Sequence, residues 1–180
     1  IGIEHKTDKT NHQFRVQLGY ENTDLTWDGI AASDINDRDL RRISYKSYTD
    51  DFYQQIYSLN SSYQYSNNLS FRNVVYLVRG KGYYEVFKED ASFYDYNLDI
   101  NDQFPDSTEQ ALNTGLLRRK WIVNTYYGAA PVLTWRNNIM RLDIGGELRY
   151  YTGDHFGEVS NFSNEELQSQ FSDNWYIYYQ

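Results

Sequence analysis

A chain of 180 residues is long enough for one domain with its own core, yet its mean hydropathy is −0.78 while 18% of it is aromatic, with 19 Tyr. Disordered chains are poor in aromatics, so this balance describes a chain alternating finely between wet and greasy surfaces, as antiparallel β structure and membrane barrels do. The net charge of −8 and pI near 4.8 exclude a general nucleic-acid binder, which carries a basic patch, and the lack of Cys excludes disulfides and thiolate metal sites.

No run of about 18 apolar residues is present, so no transmembrane helix is expected, and no charged-then-apolar leader is visible at Ile1. In chain order, a strand end at 1–4 leads into a polar turn around Thr7-Asp8-Lys9. From 12 to 20, Phe14, Val16, Leu18 and Tyr20 alternate with Gln13, Arg15, Gln17 and Gly19, the period of two that marks a half-buried strand. The same rhythm runs through 53–65, less cleanly through 69–79, and through 121–135. Pro131 interrupts that fourth full strand: it cannot donate to a ladder, so a local irregularity is expected beside it. From 139 to 151, Met140, Leu142, Ile144, Leu148 and Tyr150 share one face and Arg141, Asp143, Glu147 and Arg149 the other, sets that a helical period would mix. A sixth strand begins near Tyr176.

The connections alternate. Short ones fall at Ser66-Asn67-Asn68 and Arg136-Asn137-Asn138, Asn-rich turns suited to positive φ. Long ones are expected at 21–52, 80–119 and 152–174. Short turns at one end and long loops at the other are the habit of outer-membrane barrels. Trp121 and Trp135, in one phase, are separated by roughly 46 Å of strand, on the order of 35 Å of height after tilting, which brackets an apolar band about 25 Å tall. About six strands cannot close a membrane barrel, whose smallest members have about 8, and unpaired edges in lipid cost several kcal/mol per group. Residues 1–180 are therefore expected to be part of a longer barrel domain.

Several pieces carry a resemblance across 27–159: Trp27-Asp28-Gly29, Gly80-Lys81-Gly82-Tyr83-Tyr84-Glu85, Leu117-Arg118-Arg119-Lys120-Trp121 followed by Tyr126-Tyr127-Gly128, and Gly153-Asp154-His155-Phe156-Gly157-Glu158. In this order the chain resembles the barrel of TonB-dependent outer-membrane receptors, especially those of the Bacteroidota. The resemblance implies an all-β, antiparallel, up-and-down transmembrane barrel of roughly 22 strands, in the bacterial outer membrane and plugged by an N-terminal domain absent from these residues. It implies energised import of a scarce nutrient, a ferric siderophore first, cobalamin or similar second. The implied partners are outer-membrane lipid, the TonB complex through the missing plug, and the small-molecule ligand, with no nucleic acid, no cofactor and no enzymatic activity.

Ligand contact is expected from loop aromatics and a histidine: Trp27, Tyr83, Tyr84, His155 and Phe156. Arg15, Arg141, Asp143, Glu147 and Arg149 are expected to face the lumen and the plug. Gly80-Lys81-Gly82 lacks the third glycine and following helix of a phosphate loop and is expected to be a strand-to-loop turn. Asp154, His155 and Glu158 have metal-ligand chemistry, but a loop fixing its own turn explains them as well. The acidic run Glu89, Asp90, Asp95, Asp99, Asp102, Asp106 and Glu109 lacks the glycine and closing Glu of an EF-hand, and His5 and His12 beside the first turn suggest no chemistry. No nucleophile elbow or Ser/His/Asp spacing occurs. Two other readings stay open: a soluble β-sandwich binding carbohydrate through aromatic loops, and an outer-membrane barrel enzyme.

Overall fold

The structure, a computed structural model, describes residues 1–24, 32–39, 49–96, 113–163 and 176–178. It is all-β. Eight strands in one sheet are β1 (Gly2–Lys6), β2 (Thr10–Asp24), β3 (Thr49–Gln64), β4 (Leu69–Ser92), β5 (Asn113–Arg136), β6 (Arg141–Gly145), β7 (Leu148–Ser160) and β8 (Tyr176–Tyr178). The order β1-β2-β3-β4-β5-β7-β8, with β6 also on β5, follows the chain, so the sheet is an up-and-down meander of antiparallel neighbours. The only helical residues among those described are two 3₁₀ turns, Ala32–Asp34 and Phe93–Tyr96.

β4 and β5 each run for 24 residues, against a usual strand length of about 5–6. This corrects the expected loop bounds. Gly80-Lys81-Gly82 is no turn but the interior of β4, and a Cβ on Gly82 would lie 2.3 Å from the Asp51 carbonyl oxygen and 2.7 Å from Phe52 Cα. Glycine stands there because β3 passes too close for any side chain. Tyr83 and Tyr84 likewise belong to β4, and His155 and Phe156 to β7, instead of to loops. Local propensity cannot say where pairing stops; each strand continues as long as its neighbour offers a ladder.

The chain divides into two compact units. The first comprises Ile1–Tyr20, Tyr53–Lys81 and Val123–Gly153, and contains all three short connections. Its turns are closed by side chains. Thr7 Oγ1 accepts from the Thr10 amide at 3.0 Å, Ser66 Oγ from the Leu69 amide at 3.1 Å, and Asn137 Oδ1 from the amides of Ile139 and Met140, both at 2.8 Å. The positive φ expected of the Asn-rich turns is not used: among the described residues the one non-glycine with positive φ is Asn161. An Asn or Ser side chain that mimics the backbone acceptor closes the turn without it. Adjacent turns are tied together, Asn68 Nδ2 donating to the Arg136 carbonyl and the Arg136 amide to the Asn68 carbonyl, both at 2.8 Å.

The segment 139–151, expected as one strand, is two. β5 pairs with β6 from Arg136↔Arg141 to Val132↔Gly145, and the ladder breaks at Gly146 and Glu147. The next residue of β5 is Pro131, whose nitrogen has no hydrogen to give, and the Gly146 amide bonds the Pro131 carbonyl at 3.2 Å.

In the first unit the alternation separates two surfaces. Directly opposed pairs Ile3↔Phe14, Leu133↔Ile144 and Trp135↔Leu142 place apolar side chains on one face. Tyr127 and Tyr150 continue it, ring centroids 5.4 Å apart. These side chains are exposed: Ile3 is 72% accessible, Leu148 78% and Ile144 61%. Every buried hydrophobic residue among those described (Val86, Ala91, Tyr96, Leu116, Leu117, Val159, Phe162 and Tyr178) belongs to the second unit, Glu21–Phe52, Gly82–Ile122 and Asp154–Gln180. The first unit thus has a greasy face and no core. Asn137→Ala, which removes one acceptor from two amides, should lower unfolding free energy by about 1 kcal/mol, measured by denaturant titration; no change would mean that water closes this turn equally well.

Candidate functional site

The polar face of the first unit carries four of the five residues expected there in two joined groups. On β6, Arg141 Nε lies 2.8 Å from Asp143 Oδ2, and Asp143 Oδ1 accepts from the hydroxyl of Thr134, its register partner on β5. Beyond the break, Tyr76 donates to Glu147 Oε1 at 2.7 Å and lies 3.2 Å from Tyr126 Oη, to which Arg149 donates at 3.4 Å. Arg15, opposite Gly2 on β2, is apart from them. Sequence reading did not anticipate Tyr76 and Tyr126; both occupy the polar phase of their strands, a signal hidden by treating every Tyr as apolar. A shallow concavity of about 470 Å³ on β2–β5 is lined by Asn11, Gln13, Asn60, Ser62 and Arg72 among others.

The second unit gathers aromatic and charged side chains from β4, β5 and β7. Trp121 is central: its ring stacks on Phe156 (centroids 5.9 Å, 8° between planes), contacts Tyr83 at 4.5 Å, and its indole N–H donates to Glu158 Oε2 at 2.7 Å. Arg119 Nε donates to Glu85 Oε2 at 2.6 Å while its guanidinium carbon lies 4.4 Å from the Tyr83 ring centroid. Such a charge-assisted bond in a partly buried setting is stronger than a surface ion pair, and the cation–π contact adds to it. Burial pushes the Tyr83 phenol above its ordinary value, opposed by the Arg119 cation and reinforced by Asp51, Glu85 and Glu158.

Of the expected ligand residues, Tyr83 and Phe156 therefore meet around Trp121. Tyr84, the next residue of β4, points to the opposite face, where the Arg118 guanidinium lies 6.0 Å from its ring centroid. His155 is exposed and alternates away from Phe156. Trp27 lies outside the described residues, as do Asp99, Asp102, Asp106 and Glu109. Glu89 and Asp90 end β4, and Asp95 is in the 3₁₀ turn. Asp154, His155 and Glu158 form no metal-binding group: no cluster of three potential ligands occurs among the described residues. His12 Nδ1 lies 3.1 Å from Ser61 Oγ and pairs across the sheet with His5. The Arg119–Glu85 pair and Arg118 were unforeseen as site residues, because only register brings positions 85, 119 and 158 side by side.

No protein-family model matches the chain, no curated protein matches it, and no solved structure matches it.

At the start of β3 the second unit also holds an acidic group. Asp51 accepts from Asn22 at 2.8 Å, and the Asp50 carboxyl is raised above its ordinary value by burial first, then by Glu21 and Asp51. A raised carboxyl contributes fully below its unfolded pKa, and its contribution is lost as pH rises through the folded value. Asp50→Asn should therefore stabilise the protein at neutral pH and have little effect near pH 3, read from melting temperatures at both; equal effects at both would remove the electrostatic cause.

Proposed function

We propose that the chain forms part of the wall of a transmembrane β-barrel in a bacterial outer membrane, within a TonB-dependent type of receptor that imports a scarce nutrient such as an iron–siderophore complex or cobalamin. The observation that carries this reading is the first unit itself: long antiparallel strands with an exposed apolar face, a polar face behind it, and no core. In water such a face is a liability, since soluble proteins rarely expose contiguous apolar patches beyond a few hundred Å². Against hydrocarbon it is what a barrel wall requires. The portions of β4 and β5 inside the first unit, 69–81 and 123–136, exceed the 9–11 residues that a tilted strand needs to cross.

A sandwich would divide its strands between two packed sheets, whereas the described strands join one. Among the described strands β1 and β8 end the strand order, and β6 pairs with β5 alone. A barrel in lipid tolerates no edge, so the remaining wall is supplied by residues beyond those described or by further chain. The polar side chains Arg141, Asp143, Glu147 and Arg149 then line the lumen against a plug, through which the TonB complex acts. The long connections expected in the second unit supply the ligand-facing chemistry in this reading. The receptor works by selective binding and gated passage, and the reading assigns no covalent step to any residue.

Immunoblotting of fractionated source cells tests the location. The protein should follow the outer membrane and be released by detergent but not by high salt; recovery in the soluble fraction would overturn the receptor and favour a soluble β-sheet binder. The faces are tested by Ile144→Arg and Glu147→Gln. The first should weaken folding into lipid vesicles by about 2–4 kcal/mol if Ile144 sits near the bilayer midplane, falling to about 0–1 near an interface. The second should weaken it less, since a lumen position keeps its water. Urea titration in vesicles reads both, and a neutral Ile144→Arg together with a damaging Glu147→Gln would reverse the assignment of the faces.

A further inference from the structure

The apolar face of the first unit is interrupted at one place by cations. Tyr76 meets Tyr126 and Glu147 on the polar face. By strand alternation Arg79 and Lys81 on β4, and Val123 and Thr125 on β5, therefore belong to the opposite face with Val75 and Tyr127. On β3, Tyr63 packs against Phe71 of β4, ring centroids 6.2 Å apart, and Tyr53 and Gln55 keep its phase. Tyr53, Gln55, Arg79, Lys81, Val123 and Thr125 all line one concavity of about 290 Å³, which lies wholly within this unit.

The polar groups of this concavity are donors. Tyr57 donates to Gln55 Oε1 at 3.4 Å, and Gln55 Nε2 donates to the Tyr53 hydroxyl at 3.0 Å, which leaves the Tyr53 proton for a further oxygen. Arg79 is exposed, and among the described residues no carboxylate pairs with it. Lys81 places a second positive charge roughly 7 Å along the same face, and no carboxylate is among the described residues that line the concavity. Its height matters as well. Arg79 stands ten residues along β4 from Leu69, where the strand leaves the Ser66 turn. That is roughly 33 Å of strand and on the order of 25 Å of height at a tilt of about 40°, the height of a barrel's apolar band. In the barrel reading the cations therefore stand at the edge of the hydrocarbon away from the short turns, where an outward-facing charge is tolerated. Short turns are periplasmic, so that edge belongs to the outer leaflet.

We propose that this concavity binds the phosphate of an outer-leaflet lipid, a phosphorylated glycolipid whose acyl chains lie along the apolar face beside it. The Arg79 guanidinium offers phosphate oxygens a paired donor fork, the Tyr53 hydroxyl donates a further hydrogen bond, and Lys81 adds to the positive field that draws an anionic headgroup. Val75 and Tyr127, 45% and 48% accessible, supply apolar surface on the same face. A free anion would gain nothing from that surface, whereas a lipid uses both the charge and the apolar side chains. The proposal rests on the barrel reading and names a partner for its outward face.

The test counts bound lipid by native mass spectrometry on the natural full-length protein in a non-ionic detergent. The probes are lipid A, an acylated disaccharide carrying phosphates, and the same lipid with its phosphates removed. The wild type should retain the phosphorylated form about tenfold more tightly. Arg79→Gln should remove that preference without changing the unfolding temperature in detergent, since Arg79 is exposed. Lys9→Gln, the same loss of charge at the first short turn, should change nothing. Equal retention of both lipids by the wild type, an undiminished preference in Arg79→Gln, or an equal loss in Lys9→Gln overturns the site. Should Arg79→Gln fail to fold, Tyr53→Phe decides: it removes one donor and should weaken retention, and unchanged retention overturns the site. Displacement of the lipid by equimolar sodium phosphate would make this a site for free anions and overturn the lipid assignment. A protein that fractionates with the outer membrane but shows no preference for the phosphorylated lipid loses this site alone and keeps the barrel reading. Recovery in the soluble fraction overturns the barrel reading, and the lipid with it.

Discussion

Backbone pairing and side-chain solvation are solved in different directions in this protein, and the rest of the structure depends on that separation. The strands pair their amides and carbonyls sideways, through the ladders of one sheet, so the perpendicular direction is left to the side chains. In the first unit the perpendicular direction is divided cleanly. Ile3, Phe14, Leu133 and Ile144 emerge on one side, Arg15, Asp143 and Thr134 on the other. The apolar side chains Ile3, Ile144 and Leu148 stay exposed, a surface that a bilayer would cover under the proposed reading.

The second unit follows the other strategy. Leu116 and Val159 are wholly buried, and several of this unit's aromatic and charged side chains are engaged with one another. Glu158 holds the Trp121 indole, Glu85 holds Arg119, and Arg119 covers Tyr83. These contacts fix ring orientations on three neighbouring strands at once. A rigid aromatic surface flanked by paired charges is suited to recognition, because little side-chain entropy remains to be lost on binding. Elsewhere in this unit Arg118 Nε and the Tyr178 hydroxyl are buried without a hydrogen-bond partner.

Pro131 shows how one residue without an amide hydrogen reaches across the sheet. Its position in β5 ends the β6 ladder at Gly145 and starts β7 only at Leu148. The break separates the Arg141–Asp143 pair from the Glu147, Arg149, Tyr76 and Tyr126 group. An irregularity was expected beside Pro131 from its chemistry, but that it falls on the partner strand follows only from the register.

What the sequence by itself determined is the local part: the period of two, the faces of 139–151, and the three short polar turns at Thr7, Ser66 and Asn137. These depend on neighbours within a few residues, and side-chain caps on adjacent amides need nothing more. Only the tertiary structure decided where strands end, and so moved Tyr83, Tyr84, His155 and Phe156 from loops into β4 and β7. It also decided which side chains meet. Trp121 finds Phe156, and Tyr178 lies over Gly157, through pairings between strands far apart in sequence. The physical reason is that ladder length and register are set by the partner strand, whose backbone offers or withholds hydrogen bonds wherever it runs.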